Sequence, residues 1–285
     1  MGELAREARV TPALEIANLS KAFGGLPAAS GVSFAVMPGE RRLIIGPNGA
    51  GKTTLFNLIT GDLTADAGAI RLFGREVSRL MPYQRAHLGI ARTYQIITLF
   101  GKDSLEHNIV LSLLGLAPAR WHAFKPLARY QHVYEEAHRA LQLVGLEHLA
   151  RRSIGEISYG ERRRVEIAMA LAQQPKLLLL DEPFAGLSRE ERFAVKQLVS
   201  EIPREVTVVL IEHDMDTALD LAERITVLHY GSVIVEGTRT EVVADPKTRE
   251  VYLGDMEQGG QGGKGRVPPL PLAPYRSPNS EKPND

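Results

Sequence analysis

Gly46-Pro47-Asn48-Gly49-Ala50-Gly51-Lys52-Thr53-Thr54 is the stretch on which the fold turns. It satisfies G-x-x-x-x-G-K-[ST] at every fixed position. An apolar run, Leu43-Ile44-Ile45, precedes it, and a helix-like stretch, Leu55-Phe56-Asn57-Leu58-Ile59, follows. That strand, loop and helix context is what the motif requires. The glycines let consecutive backbone N–H groups point into one concavity, and the helix adds the positive end of its dipole; together they hold a polyphosphate. Lys52 is then in reach of the β- and γ-phosphates, and Thr53 offers its hydroxyl to Mg²⁺. Gly46, Asn48, Gly49, Ala50, Gly51, Lys52, Thr53 and Thr54 are accordingly the expected nucleotide contacts. A plain glycine-rich turn before a helix is the competing interpretation, and the full match in context favours the phosphate loop.

The rest of the chain narrows the class. Its 285 residues are 44% hydrophobic and 24% charged, ordinary for a globular protein of one large domain or two small ones. Lys plus Arg equals Asp plus Glu at 34 each, which gives no support to a nucleic-acid partner or to direct adhesion to a membrane surface. There is no cysteine, so disulfides, zinc-thiolate sites and cysteine nucleophiles are excluded. Met1 to Pro12 is charged and lacks an apolar core; it reads as a flexible start, not a signal peptide. Leu177-Leu178-Leu179-Leu180 is penned between Lys176 and Asp181, which marks a buried strand far too short to span a bilayer. A membrane role must therefore come through a partner.

Along the chain, alternation predicts short strands at 13–17 and 32–36 around a glycine turn, and another strand at 68–73. From 96 to 172 helical spacing dominates, with Leu105, Ile109 and Leu113, then Tyr134, Ala137, Leu141 and Val144, then Val165, Ala168 and Leu171. This predicts an inserted α-helical subdomain, with a loop excursion over Gly115 to Arg129 around Trp121. Strands and helices alternate again from 177: a strand to Asp181, a helix over 189–202, a strand over 206–211, a helix over Met215 to Ala222, and a hairpin around Gly231. That alternation predicts a largely parallel sheet covered on both faces. The folded part ends near Gly254. Residues 255–285 are Gly- and Pro-rich and predict a disordered tail, whose Pro268-Pro269-Leu270-Pro271 suits an aromatic groove less well than plain solvation.

Two further stretches bear on chemistry. The strand ending at Asp181 delivers that carboxylate beside the phosphate loop, where with Thr53 it can hold Mg²⁺. Glu182, one residue on, points differently and is placed to orient or deprotonate a water for attack on the γ-phosphorus. Ile157-Ser158-Tyr159-Gly160-Glu161 contains a capping box, Ser158 with Glu161, at the start of a helix running to Ala172. Such a helix start with a free hydroxyl is an anion site, and nothing obliges the anion to come from the same chain.

The phosphate loop, the acidic strand and the Ser158-Tyr159-Gly160-Glu161 helix start, in that order, resemble the ATP-binding-cassette (ABC) ATPases. The resemblance covers about residues 13 to 254. It implies an α/β P-loop NTPase core with a mixed sheet, an antiparallel β subdomain and the inserted helical subdomain. It further implies that Gln95 senses Mg²⁺ and the γ-phosphate, that His213 contacts the γ-phosphate, and that Phe23 stacks on adenine. Ala185-Gly186-Leu187-Ser188 falls where the family's D-loop lies. Tyr159 and Glu161 depart from the usual Ser-Gly-Gly-Gln signature, and Ser188 from the usual aspartate.

Phe23-Gly24-Gly25-Leu26, Ser158-Tyr159-Gly160-Glu161, Ile211-Glu212-His213-Asp214-Met215 and Val251-Tyr252-Leu253-Gly254 resemble the LivG-like ATPases of branched-chain amino-acid importers. Arg162 to Ala168 is shared with the ATPase of lipopolysaccharide export, the alternative, and Phe23-Gly24-Gly25-Leu26 favours the importer. The resemblance implies two ATPases paired head to tail, identical or paralogous, with ATP between the phosphate loop of one and Ser158 and Gly160 of the other. It implies permease subunits at the cytoplasmic face of the membrane and, through them, a substrate-binding protein. A soluble ABC protein would ordinarily carry two cassettes or a long coiled coil, and neither is visible. A phosphotransferase has no reason to carry the Ser158 helix start or His213.

Overall fold

The structure is a computed structural model and describes residues 10–95, 97–116, 131–213 and 218–251. β1 (Leu14–Phe23) and β2 (Leu26–Val36) form a long antiparallel hairpin closed at Gly24-Gly25. These strands extend well past those read from alternation. Register shifts between Ile16 and Leu19, and again up to Ala22, break the period of two and conceal the remainder in the sequence.

β3 (Arg41–Ile45) is buried along its whole length and feeds the phosphate loop, from which α1 (Lys52–Thr60) departs. Two residues hold the far end of α1. Gly61 takes the left-handed conformation that closes it, and the Arg85 guanidinium donates to the carbonyls of Leu58, Ile59, Leu80 and Ser78. A buried cation at a helix C-terminus satisfies orphan carbonyls and suits the dipole. β4 (Ala67–Leu72), β5 (Arg75–Glu76), α2 (Pro82–Ala86) and β6 (Ile90–Thr93) follow. The last three were not legible in the sequence.

α3 (Leu105–Leu116), α4 (Gln131–Leu143) and α5 (Tyr159–Ala172) pack on one another, with 3₁₀ turns at Glu147–Leu149 and Ile154–Glu156. β7 (Leu177–Asp181), α6 (Arg189–Glu201), β8 (Thr207–Ile211), β9 (Arg224–His229), β10 (Ser232–Gly237) and α7 (Arg239–Ala244) follow, and the described chain ends in a helical stretch over 246–251.

Two sheets result. One is antiparallel, in the order β2-β1-β4-β5; the other is six-stranded, in the order β10-β9-β3-β8-β7-β6, parallel except for β10. The six-stranded sheet is buried on both faces, and its side chains divide by the strand period. Ile44, Leu177, Leu179, Val209 and Ile211 pack with α1 and the antiparallel sheet. Leu43, Ile45, Leu178, Leu180, Val208 and Leu210 face the helices on the other side. Each of the four β7 leucines is fully buried, contributing roughly 2 kcal/mol apiece. Arg42 joins the layers, donating to Ala35 O of β2 and to Glu40, Thr226 and Glu236. Among the described residues no helix is long and apolar enough to cross a membrane.

Several expectations lie outside the described residues: the start of the chain before Val10, Trp121 and the greater part of its loop, the first turn of the helix from Met215, Tyr252 to Gly254, and the tail from 255.

Candidate nucleotide site

The phosphate loop joins the C-terminal end of β3 to α1. Gly46 and Gly51 both lie at positive φ, 155° and 97°. A Cβ on either would run into a backbone carbonyl, that of Leu228 at Gly46 and that of Ala28 at Gly51. Only glycine permits those two approaches. Gly51 is the N-cap of α1 and brings no side-chain cap, and the first turn holds no acidic residue. The N–H groups of that turn therefore retain their capacity for an anion. Lys52 is buried at 6% exposure, and its Nζ donates to the carbonyls of Gly46 (2.7 Å) and Pro47 (3.0 Å). Burial lowers its pKa, opposed by the nearby charges of Glu182, Asp181 and Glu212. Ala50 is buried and Thr54 half-buried, while Asn48, Gly49 and Thr53 are exposed at the mouth of the loop.

Asp181 ends β7, two strands from β3, and is 1% exposed. Its Oδ2 accepts from Arg92 at 2.7 Å, whereas its Oδ1 is buried without a hydrogen-bond partner. Burial raises its pKa, against the pull of Arg92. An unsatisfied hard oxygen beside the loop that carries the Thr53 hydroxyl fits Mg²⁺, which favours one or two protein oxygens completed by phosphate and water.

Glu182 is the centre of the arrangement. Its φ of 47° is left-handed and uncommon for a non-glycine residue, and its N–H is held by the Ile211 carbonyl at 3.0 Å. The turn re-aims its carboxylate away from Asp181. Gln95 Nε2 donates to Glu182 Oε2 at 2.8 Å, and His213 Nδ1 lies 3.2 Å from Oε1. Three side chains read as catalytic thus converge from β6, β7 and β8, although Gln95 and Glu182 lie 87 positions apart. Behind them, Glu212 is 1% exposed and accepts the Phe184 N–H at 3.0 Å; burial pushes its pKa up to about 7.

Ser158 and Gly160 stand at the start of α5. Ser158 Oγ accepts from the Glu161 N–H (3.1 Å) and the Glu161 carboxylate accepts from the Ser158 N–H (2.7 Å), the capping box expected from sequence. The Gly160 N–H donates to Glu191. Ser188, in place of the family's aspartate, is the N-cap of α6 and closes a second capping box with Glu191. Tyr159 lies alongside Gly186. The ring of Phe23, 47% exposed, stands at the turn end of the β1–β2 hairpin, paired with Leu26 across Gly24-Gly25, with Lys21 Nζ 5.7 Å from its centroid.

Sequence reasoning missed Arg92, Glu212 and Glu191. Glu212 carried a local signal, since it follows an apolar strand, and Glu191 another, standing three residues after Ser188 in the Ser-x-x-Glu capping pattern; Arg92 carried none.

A phosphate loop on a parallel strand, with a second strand bringing an aspartate and a glutamate beside it, defines an ATP-binding P-loop ATPase. The family described as ABC transporter matches residues 29–185. The high-affinity branched-chain amino acid transport ATP-binding protein BraF of Pseudomonas aeruginosa is 37% identical over 255 residues, covering 86% of this chain and 98% of that protein. LivG of Escherichia coli K12, described in the same terms, is 34% identical over 251 residues, with coverages of 86% and 98%. Among solved structures, the ADP conformation of an ATP-binding cassette of an ABC transporter superposes with a TM-score of 0.77 at 34% identity, covering 85% of this chain and 99% of that one. A dimeric post-hydrolysis cassette bound to ADP and Pi superposes with a TM-score of 0.68 at 25% identity, with coverages of 79% and 98%. The chain belongs to the ABC transporter ATP-binding family. It is an ATPase and the ATP-binding subunit of a transporter.

Proposed function

We propose that this chain hydrolyses ATP to drive an importer of branched-chain amino acids or related amino acids and amides. In this proposal it sits peripherally on the cytoplasmic face of the membrane, bound to permease subunits. It pairs head to tail with a second ABC ATPase, identical or paralogous, and serves a substrate-binding protein indirectly. The observation that carries the catalytic part is the convergence of Gln95 and His213 on the Glu182 carboxylate. The substrate class rests on what the relatives are named for.

The residues divide the work as follows. The loop from Gly46 to Thr54 holds the phosphates, with Lys52 exchanging its two carbonyl partners for phosphate oxygens. Phe23 offers its exposed face to the base. Thr53 and Asp181, with Gln95 nearby, would hold Mg²⁺, which would supply positive charge against the charge developing on the phosphates. Glu182 accepts a proton from the attacking water, which Gln95 and His213 keep aligned at its two oxygens. Ser158 and Gly160 of the partner ATPase close over the same nucleotide, and separation after hydrolysis resets the permease.

Pull-down of the tagged chain from native membranes, with mass spectrometry of what comes with it, tests this. Two different polytopic proteins and a second ATPase support the importer. A permease pair with two copies of this chain points to a lipopolysaccharide-type exporter, and ATPase activity with no membrane protein attached defeats the transport proposal.

A further inference from the structure

Arg163 lies in the second turn of α5, three residues beyond Gly160, and is fully buried. A guanidinium is taken out of water at high cost unless its donors are matched. Here NH1 donates to the Tyr94 carbonyl and to Glu166 Oε2, both at 2.8 Å, and NH2 donates to the Gln95 carbonyl at 3.2 Å, while Nε is buried without a partner, so the grip runs through the two terminal nitrogens alone. Glu166 in turn accepts the Thr98 N–H. The segment leaving β6 is therefore gripped by one helix through backbone groups at 94, 95 and 98. The same Gln95 whose carbonyl is gripped places its side-chain amide 2.8 Å from Glu182. Rise along an α-helix puts Gly160 and Arg163 only about 4.5 Å apart on the axis, so they move as one body.

We propose that Arg163 is a positioning residue that sets Gln95 against Glu182 according to the stance of α5, so that engagement at the Ser158–Gly160 end of the helix reaches the hydrolytic carboxylate of the same chain. This rests on the assignment of Glu182 and Gln95 to hydrolysis given above. Arg163 touches neither Ser158 nor Glu182; it acts on Gln95 through a main-chain carbonyl. Lysine in its place keeps the charge but cannot fork to two carbonyls and a carboxylate at once. A role confined to stability would lower the melting temperature and leave turnover per folded molecule unchanged. A positioning role splits kcat from nucleotide affinity.

The test is a double-mutant cycle on the full chain with Mg-ATP: wild type, Arg163→Lys, Gln95→Ala and the pair, each with a melting curve, a nucleotide Kd, kcat and KM. Arg163→Lys is expected to keep Kd within about twofold and to lose about tenfold in kcat. The pair is expected to be no slower than Gln95→Ala alone, because both changes break one path. Wild-type kcat in Arg163→Lys, or losses that multiply in the pair, overturn the proposal while leaving the site assignment intact. Wild-type kcat in Gln95→Ala removes the site assignment itself, and the proposal with it. If Arg163→Lys does not fold, Glu166→Gln, which loosens the grip on the guanidinium while keeping an acceptor oxygen, takes its place in the cycle with the same expected and overturning outcomes.

Discussion

The N–H of Gly160 donates to the carboxylate of Glu191 at 2.9 Å, and that bond ties the start of α5 to the start of α6. The other oxygen of the carboxylate accepts the Ser188 N–H at 3.0 Å, and the Glu191 N–H returns to Ser188 Oγ at 3.2 Å. The backbone bonds from Ser188 and Gly160 hold the Glu191 pKa below its ordinary value. A Cβ on Gly160 would stand 2.5 Å from Glu191 Cγ, so the two residues are fitted to each other. An internal carboxylate thus rests on the N–H that the proposed head-to-tail arrangement turns toward the partner's nucleotide.

Removing that carboxylate frees the Gly160 N–H. Glu191→Ala is expected to lower the ATP concentration needed to drive dimerisation, at a cost of about 1 kcal/mol from the lost capping box. Light scattering across an ATP titration, in a Glu182→Gln background, reads this. A requirement for more ATP in the variant would show that Glu191 organises the closed dimer and does not compete with it.

Lys52→Ala is expected to weaken ATP binding by about 10- to 100-fold, the effect of losing a charge-assisted hydrogen bond to phosphate. The fold should survive, since the ammonium bonds only to carbonyls of its own loop. Calorimetric titration with ATP and Mg²⁺ measures the change; an unchanged Kd contradicts the assignment of the loop.

Glu182→Gln keeps an acceptor for the Gln95 amide but removes the base. Turnover is expected to fall by about 10²- to 10⁴-fold, with affinity preserved and an ATP-bound dimer accumulating on size exclusion. Turnover within about twofold of wild type would strike Glu182 from the mechanism and leave the neighbouring Glu212 as the carboxylate to examine.

The parts of this site that the sequence discloses are those whose causes are local. The phosphate loop is readable because glycine spacing, the preceding apolar strand and the following helix occupy one short window. The capping box at Ser158 and Glu161 is likewise a three-residue relationship. β6 was not readable: it has four residues, and one of them, Arg92, is charged. Its charge is matched by Asp181 at 2.7 Å, across the sheet, and by Asp62 at 3.4 Å, just past the end of α1, partners that only the tertiary fold supplies. The full β1–β2 hairpin was hidden by its bulges. Arg163 and Glu191 each have one partner within their own helix or cap, Glu166 and Ser188, and sequence does not disclose the others, the Tyr94 and Gln95 carbonyls and the Gly160 N–H, which lie on other elements. What sequence lacks here is the pairing that matches a buried charge, and buried charges are where this site departs from simple patterning.

Glu212 carries a prediction about pH. Burial raises its pKa from 4.5 to about 7, with Glu182 adding to the rise and the Phe184 N–H and His213 opposing it. In the unfolded chain the group titrates near its ordinary value, so between about pH 4.5 and 7 the native state holds a proton that the unfolded state has released. Stability from this group is therefore fully present below the unfolded value and is lost as pH rises through the folded one. The gap corresponds to on the order of 3 kcal/mol. Glutamine at 212 still accepts the Phe184 N–H and cannot ionise. Glu212→Gln is expected to melt about 5 °C above wild type at pH 8 and close to it at pH 5, since about 1 kcal/mol moves a chain of this size by a few degrees. Glu166, also raised to about 7 by burial, titrates in the same direction in both proteins and cancels in the comparison. Melting curves of the two proteins at both pH values settle the point: a difference that does not change with pH means that Glu212 is already ionised in the fold and that the bond to Phe184 carries its whole contribution.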